Sequence, residues 1–128
     1  MKKKIKIKVG IDSPVAAGAG TISKLIAKNY KLLYLDTGKI YRFMARQIID
    51  KKPKDKLKFL KKISRNINLN KLKQRNLLND DVAYLASQIA KDLKVRNLVV
   101  RFQRRLAYHP PNKYNGSILD GRDINSKI

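Results

Sequence analysis

The sequence contains no cysteine, so neither a disulfide framework nor a thiolate metal site can hold it together. Its one imidazole, His109, is too little to build most zinc or iron centres, which draw on several His or Cys ligands. No apolar run approaches the roughly 20 residues needed to span a bilayer. The start, Met1-Lys2-Lys3-Lys4, is charged but leads into no long apolar stretch, so it does not read as a secretory signal. The cytoplasm is the expected compartment, with no membrane partner. Acidic residues are also scarce, 9 Asp and Glu against 31 Lys and Arg, for a formal net charge of +22. Such a surface attracts polyanions and raises nucleic-acid binding as a function class. The lysines, however, are spread along the chain and mixed with Ile and Asn, as in Lys71–Asn79 and Lys94–Asn97, a composition typical of AT-rich coding sequence. The charge is therefore read as a solvated, composition-driven surface. At 128 residues the chain suits one domain, small for a complete α/β enzyme.

What is present has a clear order. Lys4-Ile5-Lys6-Ile7-Lys8-Val9 alternates basic and apolar residues before Gly10-Ile11, predicting a strand with one apolar face. Residues 12–21 form a loop of small side chains. From Thr21 the apolar residues Ile22, Leu25, Ile26 and Tyr30 fall at helical spacing. Leu32-Leu33-Tyr34-Leu35 reads as a second, buried strand, and Asp36 and Thr37 can cap a helix carrying Ile40, Tyr41, Met44, Ala45, Ile48 and Ile49. Strand, helix, strand, helix in so short a space predicts a parallel sheet with crossover helices. Beyond Pro53, Lys54–Arg65 predicts a basic amphipathic helix with Leu57, Leu60 and Ile63 inside. Asn66–Asn79 is polar and irregular. Asp80–Lys91 and Lys94–Tyr108 predict two more helices, the second ended by His109-Pro110-Pro111-Asn112. Ser117-Ile118-Leu119-Asp120 is a third strand, leading into Gly121-Arg122-Asp123.

A strand that stops at a small-residue turn and passes directly into a helix brings backbone N–H groups and the positive helix end to one point, an arrangement that binds phosphate. The spacing Gly18-x-Gly20-Thr21 after an apolar strand makes this a nucleotide-binding α/β chain of the P-loop type. Ser13, Pro14, Val15, Ala16, Ala17, Gly18, Ala19, Gly20 and Thr21 are the candidate phosphate-binding residues, with Thr21 where a Walker A Ser/Thr ligates magnesium. Two positions depart from that pattern. Ser13 replaces its first glycine and Ala19 its lysine, the cation that lies against the β- and γ-phosphates. Lys24, a turn further on, is in a different register and a poor substitute.

Four motifs, in order, resemble the bacterial cytidylate kinase family. Ile11-Asp12-Ser13-Pro14-Val15-Ala16-Ala17-Gly18-Ala19-Gly20-Thr21 is similar to that family's IDGPAAAGKGT, and Leu35-Asp36-Thr37-Gly38-Lys39-Ile40-Tyr41-Arg42 resembles its LDTGAIYR. Ala86-Ser87-Gln88 followed by Val95-Arg96 resembles its AS-x-V and VR segment, and Asp120-Gly121-Arg122-Asp123-Ile124 its DGRDIGT. The resemblance runs from Ile5 to Ile128. It implies transfer of a phosphoryl group from magnesium-bound ATP to CMP or dCMP. Thr37, Tyr41, Arg42, Ser87, Arg96, Arg122 and Asp123 would then contact the acceptor, with Arg42, Arg122 and Asp123 also serving the transfer. Thr37 can bond a phosphate or a ribose, and Arg42 can fork onto the acceptor phosphate. Read without the resemblance, Tyr41 is equally a core aromatic, Ser87 and Arg96 surface polar residues, and Gly121-Arg122-Asp123 a turn with an ion pair.

The resemblance also implies differences. The family continues past its fourth motif with a further strand, an arginine-rich lid and a C-terminal segment, and here Asn125-Ser126 replace Gly-Thr. The expectation is one partial P-loop nucleoside monophosphate kinase domain over residues 1–128, truncated at its C-terminus, with 53–93 as the monophosphate-binding excursion. Activity is expected to be impaired, and the chain monomeric. The alternatives are a nucleotide-binding remnant that turns over little, and a basic nucleic-acid-binding module. The last needs aromatics interleaved with a basic face, whereas Phe43, Phe59, Phe102 and the tyrosines fall mostly at helix-core spacing.

Overall fold

The computed structural model describes residues 7–12 and 19–121. The chain divides into two compact units, one of residues 1–37 with 103–128, the other of residues 38–102. The described residues build a three-stranded parallel sheet and five α-helices, as the alternation of periodicities predicts.

The first unit holds the sheet. Strand β1 (Ile7–Asp12) is followed in the chain by helix α1 (Ala19–Tyr30), and strand β2 (Leu32–Asp36) comes after a single further residue. Strand β3 (Gly116–Gly121), the last of the described strands, lies between the other two in the order β1-β3-β2. Both pairings are parallel, with Ile7 and Leu32 each opposite Gly116 and with Ile11 and Asp36 each opposite Asp120. Parallel strands need crossover connections, and α1 carries the chain from β1 to β2 on the far side of β3. Gly116 is required by the closeness of β1. A Cβ there would stand 1.9 Å from the Ile7 carbonyl oxygen, a collision with backbone that no rotamer change relieves.

Helix α1 forms as predicted but does not bury the stripe its sequence advertises. Ile22, Leu25 and Tyr30 are exposed, whereas Ser23 and Ala27 are buried. Ala27 packs with Leu32 and Ile118, with Val9, Ile11, Ile26 and Tyr34 around them. The helix ends with Lys31 at φ 53°, the left-handed conformation common just past a C-terminus. Its open carbonyls are met from the turn before β3. The Asn115 side-chain amide donates to Tyr30 O at 3.1 Å, and the Asn115 backbone N–H donates to Lys31 O at 2.8 Å.

The second unit is helical. Helix α2 (Thr37–Lys51) buries Ile40, Phe43, Met44, Ala45 and Ile48, the one-sided spacing its sequence shows. Helix α3 (Lys56–Ser64) is shorter than the Lys54–Arg65 expected, because Asp55 caps it by accepting from Lys58 N–H at 3.1 Å. The stretch 66–79 is more ordered than its polarity suggested. It contains two short 3-10 turns, Leu69–Lys73 and Arg75–Leu78, which bury Leu72 and Leu77. Helix α4 (Asp80–Ile89) starts on two aspartates that suit its dipole. Helix α5 (Leu93–Tyr108) begins where Asp92 accepts from Lys94 N–H at 2.8 Å and buries Val95, Leu98, Val99 and Phe102. A second small core joins Ala45, Val82 and Ala86.

Candidate nucleotide site

Two groups of predicted residues can be placed, one in each unit. In the first, the parallel register puts the carboxyl ends of β1, β2 and β3 along one edge of the sheet. Asp12 ends β1, Asp36 ends β2, and Asp120-Gly121 ends β3. These are the points where the first, second and fourth motifs leave the sheet. In open α/β sheets ligands bind outside the carboxyl ends of the strands. Helix α1 opens at Ala19, with Thr21 exposed in its first turn. Ser13, Pro14, Val15, Ala16, Ala17 and Gly18, together with Arg122 and Asp123, lie outside the described residues.

Asp120 organises this edge. The Ser23 hydroxyl and the Tyr34 hydroxyl each donate to its Oδ2 at 3.4 Å. Ser23 is fully buried, so the carboxylate meets a need that an apolar environment would leave open. Burial pushes the Tyr34 hydroxyl well above the ordinary tyrosine range, and the carboxylates of Asp36 and Asp120 and the hydrogen bond to Asp120 add to the effect. Tyr34 is thus held as a neutral donor. Lys24 lies with its Nζ 6.0 Å from the Tyr34 ring centroid. The Thr37 hydroxyl donates to the Asp120 carbonyl oxygen at 2.9 Å, and Gln103 Nε2 donates to Thr37 Oγ1 at 2.5 Å. The hydroxyl expected to serve as a helix cap therefore bonds to the central strand.

In the second unit, Tyr41 and Arg96 come together from α2 and α5. Tyr41 is half-buried against the core of Ala45, Val82 and Ala86. Burial raises its hydroxyl pKa, while the positive charge of Arg96 and a hydrogen bond from its guanidinium act in the opposite sense. Its ring is thus a core aromatic while its hydroxyl reaches Arg96. Arg42, next along α2, is half-buried. Ser87 is exposed on α4 and its hydroxyl donates to the Tyr84 carbonyl at 2.6 Å. Among the described residues no group of three His, Cys, Asp or Glu could hold a metal ion, and no helix is long and apolar enough to cross a membrane.

Sequence reasoning missed Ser23, Tyr34 and Gln103. Ser23 sat inside an apolar stripe and Tyr34 inside an apolar strand, and Gln103 lies 66 residues from the hydroxyl it bonds. Only Asp120 carried a signal, as the first residue of the fourth motif.

Comparison with known proteins agrees with this arrangement. The family model for cytidylate kinase matches residues 9–128. The cytidylate kinase of Sinorhizobium medicae is 40% identical over 121 residues, covering 94% of this chain and 55% of its own length. Those of Rhizobium meliloti and Agrobacterium fabrum are 37% and 36% identical over the same length, covering 94% of this chain and 55% and 56% of themselves. The chain spans about half the length of the curated relatives it matches. With three motif-bearing strand ends on one sheet edge and a family match across nearly its whole length, the chain belongs to the cytidylate kinase family.

Proposed function

We propose that this chain carries the phosphate-binding and acceptor-binding parts of an enzyme that moves a phosphoryl group from ATP to CMP or dCMP. The observation that supports this best is the convergence of three distant motifs on the carboxyl edge of one parallel sheet. In this reading residues 13–20 wrap the ATP phosphates with backbone N–H groups, helped by the positive end of α1. Thr21 is the residue that would ligate magnesium. One exposed hydroxyl, without a dedicated carboxylate cage among the described residues, fits an ion that keeps its waters and is carried on substrate phosphates. The ion, when bound, supplies neutralising charge between the phosphates. Tyr41 flanks the acceptor nucleotide, Ser87 and Arg96 read its pyrimidine edge, and Arg42 and Arg122 grip its phosphate while Asp123 serves as an acceptor-site carboxylate. Phosphoryl transfer depends almost wholly on positioning and charge. Residues 53–93 serve as the monophosphate-binding excursion of a single domain.

A second reading, nucleotide binding with little turnover, is favoured by Ala19 at the position of the Walker A lysine. Loss of one preorganised cation of that kind costs on the order of 10²–10³ in rate. A coupled assay of ADP release with CMP and magnesium-ATP, paired with thermal shift, separates the readings. Heat stabilisation by CMP and by ATP is expected, with slow turnover that Ala19→Lys raises. Stabilisation with no turnover in either protein would favour binding alone. No response to either nucleotide, with salt-sensitive binding of single-stranded DNA, would overturn both.

A further inference from the structure

Residues 51–75 carry eleven lysines and arginines against one carboxylate, Asp55, so nearly half of the net charge of +22 lies in a fifth of the chain. All eleven are exposed, and all belong to the helical unit. None of them makes an ion pair among the described residues, and Asp55 is occupied in capping α3 through Lys58 N–H. On α3 the cations are ordered. Lys58, Lys61, Lys62 and Arg65 follow the i, i+3, i+4, i+7 spacing that aligns side chains on one helix face, turned away from the side that buries Leu60 and Ser64. That order works against the helix itself. Lys58–Lys62 and Lys61–Arg65 are like-charged i, i+4 pairs, which repel. Lys56 and Lys58 stand in the first turn, beside the positive end of the dipole, with no acidic residue in that turn. A polyanion laid along such a row relieves both effects.

The surroundings choose among polyanions. Insertion into a bilayer surface draws on exposed apolar side chains, and residues 51–75 expose no large one. A single nucleic-acid strand needs aromatic rings to stack on, and the one aromatic of the segment, Phe59, is half-buried. Exposed Asn66, Asn70, Gln74 and Asn76 lie among the cations instead, amides suited to phosphate and sugar oxygens. A duplex presents about one charge per 1.7 Å of its axis, so α3, about 14 Å long, meets several at once. We infer that residues 51–75, led by the ridge of Lys58, Lys61, Lys62 and Arg65, form a sequence-independent docking surface for the phosphate backbone of duplex nucleic acid. For this segment the inference replaces the reading of its charge as composition. It is independent of the proposed nucleotide site, which uses none of these four residues.

The test titrates the full chain with a DNA duplex of about 20 base pairs, and with its RNA counterpart, between about 50 and 200 mM salt. Four phosphate contacts predict a log–log slope of about −3.6, an affinity loss of about 150-fold across that range. Substituting the ridge together, Lys58→Gln, Lys61→Gln, Lys62→Gln and Arg65→Gln, is expected to remove most of the slope and at least about tenfold in affinity at the lower salt. A control of equal charge change, Lys28→Gln, Lys91→Gln, Lys94→Gln and Lys113→Gln, should stay within about threefold of the parent. Binding of either duplex with that contrast supports the inference. Equal losses in the two variants, or no duplex binding by the parent at the lower salt, overturns it. Tighter binding of polyglutamate or of phosphatidylglycerol vesicles than of duplex overturns it as well. If the fourfold ridge variant does not fold, Lys58→Gln and Lys61→Gln decide singly. Each should lower the slope by about 0.9, and an unchanged slope in both overturns the inference.

Discussion

Strands β1 and β2 flank the same central strand in the same parallel sense, yet they live in different environments. Leu32, Leu33 and Leu35 of β2 are all buried, whereas Ile7 of β1 is 48% exposed and Val9 and Ile11 are only half-buried. Their sequences state the difference. Strand β2 is an unbroken apolar run, as expected of a parallel strand covered on both faces. Strand β1 alternates lysine with β-branched residues over Ile7-Lys8-Val9, the pattern of a strand with one face open to water. Lys8 is not idle there, since its Nζ sits 4.5 Å from the centroid of the Tyr108 ring. Pairing alone therefore does not determine what a strand contributes. Strand β2 contributes buried area, and β1 contributes a backbone held close to β3 and ends at Asp12 beside the ends of its neighbours.

The comparison can be broken most severely at Gly116. A methyl group there collides with the Ile7 carbonyl, so Gly116→Ala should force β1 away from β3 at a cost on the order of 4 kcal/mol. Urea unfolding would measure the loss. Amide exchange should accelerate in residues 7–12 well before residues 32–36, and equal acceleration in both strands would contradict the asymmetry. A milder contrast comes from truncation. Leu35→Ala, at a site 2% exposed, is expected to cost about 2–5 kcal/mol, whereas Ile7→Ala should cost under about 1 kcal/mol in the same titration. The smallest effect is a matter of pH. The Tyr34 hydroxyl holds its proton more tightly in the folded state than the ordinary value of 10.0. The stability linked to it is complete below pH 10 and is lost as pH rises beyond that. Tyr34→Phe should flatten the alkaline limb of a stability profile, and an unchanged limb would show that the group does not control it.

Much of this fold was legible because it rests on period. Alternation in residues 4–9, the run at 32–35 and the one-sided spacing of 40–49 and 95–106 each name their element. The motif-bearing turns were legible for a related reason, since each follows a strand end. What was hidden depended on partners far along the chain. The stripe Ile22, Leu25, Tyr30 misleads because α1 buries Ser23 and Ala27, and only Asp120, 97 residues away, makes a buried serine acceptable there. The turns around Leu72 and Leu77 escaped because 3-10 geometry leaves no 3.6-residue period to detect. The bond between Gln103 and Thr37 exists only once the sheet and α5 are assembled.

The placement of β3, the last of the described strands, in the middle of their sheet also has a consequence in time. Among the described strands neither β1 nor β2 has its partner until residues 116–121 have been made, since Ile7 pairs with Gly116 far along the chain. Long-range parallel pairing of this kind closes slowly and late. During synthesis the apolar run of β2 must therefore stay unpaired while the helices between it and β3 emerge, so the arrival of β3 is the step that commits the nascent sheet and hides its stickiest segment.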